Sequence, residues 1–324
     1  MRRIAFGLLT FFAGLSLLAT LASFTNGDQW FVRAFDLVRE PHLYLALILA
    51  VVSMLVLHGK RRMVGVVFLV VAALNFWRIW PYTSFAGEEI ALSDPAQGSQ
   101  CFTALALNVK MKNTDHRAVI EQIEQADADI LLVMEPDARW ARKLAPVLAR
   151  YDTTLSEIQP NAYGMIFASR VPVRSARVVE NTSRNTPTLY ATLDLANGAA
   201  FEFIGLHPKP PVPGTNTQMR DENILNAGRQ TPDGLANALV MGDFNDVPWS
   251  RTTTTFRKQG NWRDPRIGRG TYATFPADMT ALGWPLDQIM LRGGMELRSF
   301  SVLPDNGADH RALRAEVCAG PEAN

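Results

Sequence analysis

Apolar and polar positions follow two different regimes that meet near residue 83. From Ile4 to about Tyr82 the chain is overwhelmingly apolar, and beyond Gly87 it alternates as a water-soluble protein does. Ile4–Thr25 carries no charge and is bracketed by Arg2-Arg3 and Asp28. His42–Leu57 and Met63–Ile79 are two further apolar runs, separated by His58-Gly59-Lys60-Arg61-Arg62. A helix needs roughly 17–25 apolar residues to cross a bilayer core, so three transmembrane helices are predicted at about 4–25, 42–58 and 63–80. Helices of soluble proteins normally show a polar face, which these runs lack. Trp77, Trp80 and Tyr82 supply an interfacial aromatic belt, and Arg78 lies near the end of its span, where its long stem lets the charge snorkel to the interface.

The remainder divides into a linker at 84–100 and one catalytic-sized domain at 101–319. Short apolar runs predict strands at Phe102–Val109, Asp129–Met134, Met165–Ser169, Thr188–Leu195, Phe201–Leu206, Ala238–Met241, Leu286–Leu291 and Ala312–Val317. Thr114 or Asp115 can cap a helix whose apolar face carries Val119, Ile120 and Ile123. Strands outnumber helices, and polar residues stand where several strands end. The pattern predicts an α/β domain whose strand ends converge on one site.

Charge refines this picture in two places. The whole chain carries a net charge of +1, but from Ser84 onward 24 Lys/Arg meet 28 Asp/Glu, or −4. That removes the electrostatic argument for non-specific nucleic-acid affinity. Arg2-Arg3 and Lys60-Arg61-Arg62 belong on the cytoplasmic side of a membrane, while Asn26–Pro41 has no basic excess. An N-in chain crossing three times delivers its C-terminal domain to the far side, outside the cytoplasm. Cleavage of the first span as a signal peptide, at Thr20-Leu21-Ala22, leaves that location unchanged. The two cysteines, Cys101 and Cys318, flank the first and last strands of the domain; if those strands are neighbours, a disulfide closes the domain in an oxidising compartment.

Six segments at strand ends carry the chemistry: Asn108-Val109, Met134-Glu135-Pro136, Tyr163-Gly164, Leu206-His207-Pro208, Gly242-Asp243-Phe244-Asn245, and Asp287 with Gly307-Ala308-Asp309-His310. Singly each is weak, since a lone Glu is usually solvated and a lone His usually structural. Asp243 and Asn245 are more telling, because residues two apart in an extended segment share a side. One carboxylate can activate water there while its amide neighbour steadies the same phosphate.

In this order and spacing the segments resemble the endonuclease/exonuclease/phosphatase superfamily, the group of DNase I, the abasic-site endonucleases, neutral sphingomyelinases and inositol polyphosphate phosphatases. The resemblance spans Cys101 to Val317 and is nearest to bacterial members with short N-terminal membrane spans. It implies a four-layer α/β/β/α sandwich of two mixed β-sheets and one divalent cation, Mg²⁺ or alternatively Mn²⁺. By resemblance, Glu135 is the principal metal carboxylate, Asn108 helps position metal or phosphate, and Asp309 is a supporting metal-site carboxylate. Asp243 orients or deprotonates the attacking water, and Asn245 holds the phosphate in line. His310 stabilises phosphate charge or shuttles a proton, with Asp287 orienting its ring; His207 lies near the leaving group and Tyr163 contacts phosphate. Two positions depart from the family pattern: Gln288 follows Asp287 where a His is common, and Ala308 replaces a frequent Ser.

The physics agrees with that implication. A phosphodiester repels hydroxide, so a cation must neutralise charge developing on its oxygens. No close His/Cys cluster of the kind zinc prefers occurs. Three function classes follow: a nuclease, for which Arg263, Arg266 and Arg269 form a local basic cluster; a phospholipase C or sphingomyelinase-type enzyme, for which tethering is apt; and a non-catalytic membrane binding protein on the same fold. Metal-dependent phosphodiester hydrolysis is the expectation. Nucleic acid stands ahead of phospholipid only because more of the superfamily works on it, and no protein partner is expected beyond the bilayer itself.

Overall fold

A computed structural model describes residues 2–92, 94–182, 184–229, 234–279 and 281–320. Its N-terminal part is α1 (Arg2–Ser23), α2 (Trp30–Leu37), α3 (Arg39–Val56) and α4 (Met63–Ile79). Among the described residues, three helices are long and apolar enough to cross a membrane, spanning Arg3–Ser23, Arg39–Val56 and Gly59–Tyr82. The short α2 was not anticipated. It delivers Arg33 and Asp36 into a buried cluster, where Asp36 pairs with Arg33 at 3.1 Å and with Arg39 at 2.6 Å. Arg39 also reaches Ser23 and Asn75, so one polar knot ties α1, α3 and α4 together. Buried charges persist only when paired in this way.

The rest is β1 (Gln100–Asn108), α5 (His116–Ala126), β2 (Ile130–Met134), α6 (Ala138–Leu148), β3 (Thr153–Glu157), β4 (Met165–Ser169), β5 (Val173–Glu180), β6 (Pro187–Asp194), β7 (Ala200–Leu206), α7 (Gln218–Arg229), β8 (Ala238–Asp243), α8 (Arg251–Gly260), β9 (Asp287–Arg292), β10 (Glu296–Val302) and β11 (Leu313–Ala319). Two mixed sheets form, ordered β10-β11-β1-β2-β4-β3 and β5-β6-β7-β8-β9. Their inner faces share one core built from residues such as Phe102, Leu132, Phe167, Phe201, Phe203 and Leu239. Outside the first sheet, Val119 and Ile123 of α5 and Trp140 and Leu144 of α6 cover Leu105, Leu107 and Leu131. Outside the second, Ile224 of α7 and Phe256 of α8 cover Ile204 and Val240. This is the expected four-layer sandwich.

Helix starts obey capping chemistry. Asp115 accepts from Ala118 N, Asp137 from Arg139 N and Trp140 N, and Ser250 from Thr253 N. Cys101 and Cys318 are register partners across the antiparallel β1–β11 pair and form a disulfide, as the sequence allowed. Glu88, Glu89 and Ile90 lie against the domain: Glu88 pairs with Arg269, Glu89 with Arg257, and Ile90 enters the core between the sheets. Each sheet contains a parallel pair, β1–β2 and β7–β8, and the C-terminal ends of those strands meet at one edge of the sandwich. Sites in α/β sheets form at such strand ends.

Candidate active site

Asp243 ends β8 opposite Asp287, its antiparallel partner on β9. Its Oδ2 is a point of convergence: Asn108 Nδ2 lies at 3.3 Å, His310 Nε2 at 3.6 Å and His207 Nε2 at 3.7 Å. Its Oδ1 accepts from Asn245 N at 2.8 Å. Asn245 adopts a left-handed backbone with φ of 49°, which Asn tolerates better than most residues, and its Nδ2 donates to Pro208 O at 2.9 Å. The residue before Asp243 must be glycine. Gly242 has φ of 146°, and a Cβ there would lie 1.9 Å from Leu206 O, its partner in the parallel β7–β8 register.

Asn108 and Glu135 arrive from the other sheet, at the ends of β1 and β2. Asn108 Nδ2 donates to Glu135 Oε1 at 2.9 Å as well as to Asp243, so one amide bridges two carboxylates. Glu135 Oε2 accepts from Met111 N at 3.1 Å, and Lys110 N donates to Asn108 Oδ1 at 2.9 Å. Glu135 itself has φ of 64°, and its N–H donates to Gly164 O at 3.0 Å. A Cβ on Gly164 would meet Pro136 O at 2.0 Å, so this crossing of loops also requires glycine.

His310 and Asp287 form a buried pair, Nδ1 to Oδ2 at 2.7 Å. Burial alone would lower the His310 pKa; the carboxylates of Asp287, Asp243 and Asp309 outweigh it and raise the value to about 10. The imidazolium is therefore the form present at neutral pH, with Nε2 aimed at Asp243. Tyr163 stands beside His207 with ring centroids 5.7 Å apart, and Lys209 Nζ lies 5.5 Å from the Tyr163 ring centroid. Burial and the Glu135 charge push the Tyr163 phenol above its ordinary value, keeping it a hydrogen-bond donor. Asp309 is at the rim, half-exposed and paired with Lys110 Nζ at 3.2 Å.

The structure thus gathers Asn108, Glu135, His207, Asp243, Asn245, Asp287 and His310, with Tyr163 and Asp309 at the margin. Asp243, Asp287 and His310 also bring possible ligand atoms within 4.8 Å of one another. The 2.7 Å Asp287–His310 contact, however, is a hydrogen bond that commits His310 Nδ1 and Asp287 Oδ2. Glu135 and Asn108 offer a second place that could hold a hard cation: two carboxylates held close by one amide are a set of oxygens that positive charge would relieve.

Sequence reasoning missed residues that set this geometry. Arg220 is buried and donates to Asn245 O at 3.1 Å while pairing with Asp246 at 3.3 Å and Asp221 at 2.7 Å. Gln288, one of the departures from the family pattern, donates to Asp246 O at 2.9 Å and accepts from Arg266 at 2.9 Å. Ala308 is buried, and its N–H donates to Asn306 Oδ1 at 3.0 Å. The basic cluster dissolves: Arg266 is fully buried with Asp264, Arg263 donates to Gly293 O and Met295 O, and Arg269 pairs with Glu88. Each of these cations is committed to a partner within the protein, a fact no local sequence signal carried.

The sequence profile of the endonuclease/exonuclease/phosphatase family matches residues 105–310. No curated protein matches the chain significantly by sequence. Among solved structures, an endonuclease/exonuclease/phosphatase family protein from Bacteroides thetaiotaomicron is similar with a TM-score of 0.58 at 14% identity, covering 69% of this chain and 97% of its own. A mannosyl-6-phosphatase from the same species gives 0.56 at 14% identity, covering 67% and 99%. D. rerio TDP2, solved with a single strand DNA product, gives 0.56 at 12% identity, covering 67% and 99%. At such identities the likeness is one of fold.

Proposed function

The chain belongs to the endonuclease/exonuclease/phosphatase family, and we propose that it is a divalent-cation-dependent phosphoester hydrolase held in a bacterial plasma membrane by α1, α3 and α4, with residues 101–319 on the periplasmic side. The convergence of Asn108, His207 and His310 on Asp243 Oδ2 carries this reading. Glu135 and Asn108 would hold Mg²⁺ or Mn²⁺, which when bound supplies charge neutralisation at the phosphate oxygens. Asp243 then orients a water for attack and takes its proton, fixed by the Asn245 N–H on its other oxygen. Asn245 and Tyr163 steady the phosphate, His310 stabilises its developing charge as an imidazolium set by Asp287, and His207 attends the leaving group. Asp309, neutralised in part by Lys110, shapes the rim. The basic tripeptide Lys60-Arg61-Arg62 on one side and the disulfide on the other support the proposed orientation.

The test is hydrolysis of bis-(p-nitrophenyl) phosphate by the full chain in detergent, with Mg²⁺ or Mn²⁺, beside Asp243→Ala and His310→Ala. Metal-dependent turnover lost in both variants is expected. A folded parent inert with both metals would overturn the reading in favour of a binding protein.

A specific contact moves phospholipid ahead of nucleic acid as the substrate. The His310 ring lies 4.8 Å from that of Phe275, which stacks on Trp284 at 5.8 Å, and both aromatics pack against the apolar core shared with α1, α3 and α4. A cavity of about 700 Å³ lies between α3, α4 and the 269–271 loop, lined by Leu43, Leu47, Leu69, Ala72 and Phe76. The site therefore adjoins the part of the molecule that would meet lipid, and the three arginines that favoured nucleic acid are spent elsewhere. Competing vesicle-borne phospholipid against a single-stranded oligonucleotide decides it: preferential, salt-insensitive phospholipid cleavage is expected, whereas preferential oligonucleotide cleavage that weakens steeply with salt would restore the nuclease reading.

A further inference from the structure

The segment Phe244–Ser250 runs directly on from Asp243 without regular secondary structure, so its path is set by whatever its backbone bonds to. Four of its carbonyls accept from side chains outside the segment. Asn245 O takes Arg220 at 3.1 Å and Asp246 O takes Gln288 at 2.9 Å, both from the catalytic domain. Pro248 O takes the Tyr82 hydroxyl at 2.9 Å, and Trp249 O takes Arg78 Nη2 at 2.8 Å. Arg78 lies in the last turn of α4, and Tyr82 just beyond its end. The Trp249 indole N–H then donates to Asp36 O at 2.8 Å, and its ring meets Tyr82 edge-on at 5.7 Å. Arg78, expected to snorkel toward headgroups, instead reaches into the catalytic domain.

We propose that Arg78 and Tyr82 are positioning residues for the reaction: the N-terminal helices complete the seat of the loop that carries Asp243 and Asn245, and do not merely tether it. The buried knot around Asp36 makes this grip rigid, because the carbonyl that receives Trp249 belongs to the residue locked between Arg33 and Arg39. Arg251, just beyond the loop, adds a pair with Asp28 at 2.7 Å, so the next turn of chain is fastened to the same part of the molecule. Losing either restraint frees Pro248 and Trp249 to shift, and the strain falls on Asn245 upstream, against its own bonds to Asp243, Pro208 and Arg220, while Glu135, Asn108 and the Asp287–His310 pair, held by other elements, keep their places. A misplacement near 1 Å costs roughly 100-fold in rate.

This inference rests on the hydrolase reading, and its test separates the two. Full-length Arg78→Met, Tyr82→Phe and Arg78→Lys are compared with the parent in lipid nanodiscs by hydrogen exchange and by bis-(p-nitrophenyl) phosphate turnover. Expected are faster exchange confined to the Phe244–Trp249 amides in Arg78→Met and Tyr82→Phe, and a kcat loss of roughly 10- to 100-fold with KM, Mn²⁺ half-saturation and Tm unchanged. Arg78→Lys, which keeps a donor, recovers most of both. Unchanged exchange in Tyr82→Phe and in folded Arg78→Met overturns the inference whether or not the parent turns over. Altered exchange beside undiminished kcat also overturns it, by showing the grip to be structural only. A parent without turnover but with the expected exchange change counts against the hydrolase reading and leaves the seat itself supported.

Discussion

Replacing Asp287 by Asn tests the Asp287–His310 pair at constant volume. The two groups are 2.7 Å apart and both buried, so solvent screens them little. Taking charge centres about 4 Å apart and an effective dielectric of about 20, the lost attraction is about 4 kcal/mol, within the range of about 3–5 kcal/mol for breaking a buried pair. If all of it is expressed in the transition state, kcat falls roughly 1,000-fold; if half, roughly 30-fold. The pH dependence gives a second reading. His310 is held above its ordinary 6.5, at about 10, so it stays protonated through neutral pH. Removing Asp287 leaves burial to act with less opposition, and the alkaline limb of activity moves to lower pH. Stability follows the same sign: the pair's contribution is complete below about 6.5, is lost as pH climbs through about 10, and that slope flattens in the variant. Steady-state kinetics of full-length parent and Asp287→Asn from pH 5 to 10, with melting curves alongside, measure both effects. A variant within threefold of the parent, with the same pH profile, would refute the idea that this pair works during turnover.

Glu135→Gln keeps the Asn108 contact possible but removes a charge, and is expected to weaken Mn²⁺ binding by at least roughly tenfold in calorimetric titration, the loss that even outer-shell partners cause. Gly242→Ala forces a methyl to 1.9 Å from Leu206 O; it should abolish turnover and lower Tm, whereas Gly198→Ala, with nothing near its Cβ position, should leave turnover intact despite its strained φ of 87°. Cys101→Ala with Cys318→Ala opens a loop closed over 217 residues and should cost about 2–5 kcal/mol. By circular dichroism this is a fall in Tm of roughly 10 °C.

Central strands were legible in the sequence because burial on both faces leaves an unbroken apolar run, as in Ile130–Met134 and Met165–Ser169. The strands that escaped notice, Thr153–Glu157, Val173–Glu180 and Glu296–Val302, are all sheet edges. Polar residues such as Arg174, Ser175 and Arg177 break any run there, and pairing with one neighbour fixes the conformation. The site was legible for a different reason: its groups stand at strand ends, where a polar residue interrupts an apolar pattern abruptly. What remained hidden were side chains acting over long sequence distances. Arg220 in α7 and Arg78 in α4 both bond the loop after Asp243, yet each reads locally as an ordinary surface or interfacial arginine. Helix α2 was equally obscure, since eight residues with Arg33 and Asp36 among them resemble a loop until a buried partner for each charge is known.

The link between Cys101 and Cys318 decides what a single proteolytic cut can do to the molecule. It joins the first strand of the sandwich to the last, so almost every surface loop of the catalytic unit lies inside the covalent ring it closes. A protease that cuts once within that ring makes two chains that remain bonded to each other. Through Cys101 both also remain attached to the segment leading back to α4. Release of either piece demands a second cut or a reductant. Wear by stray proteolysis therefore leaves a nicked but undivided protein, and its integrity is read on gels run with and without reducing agent.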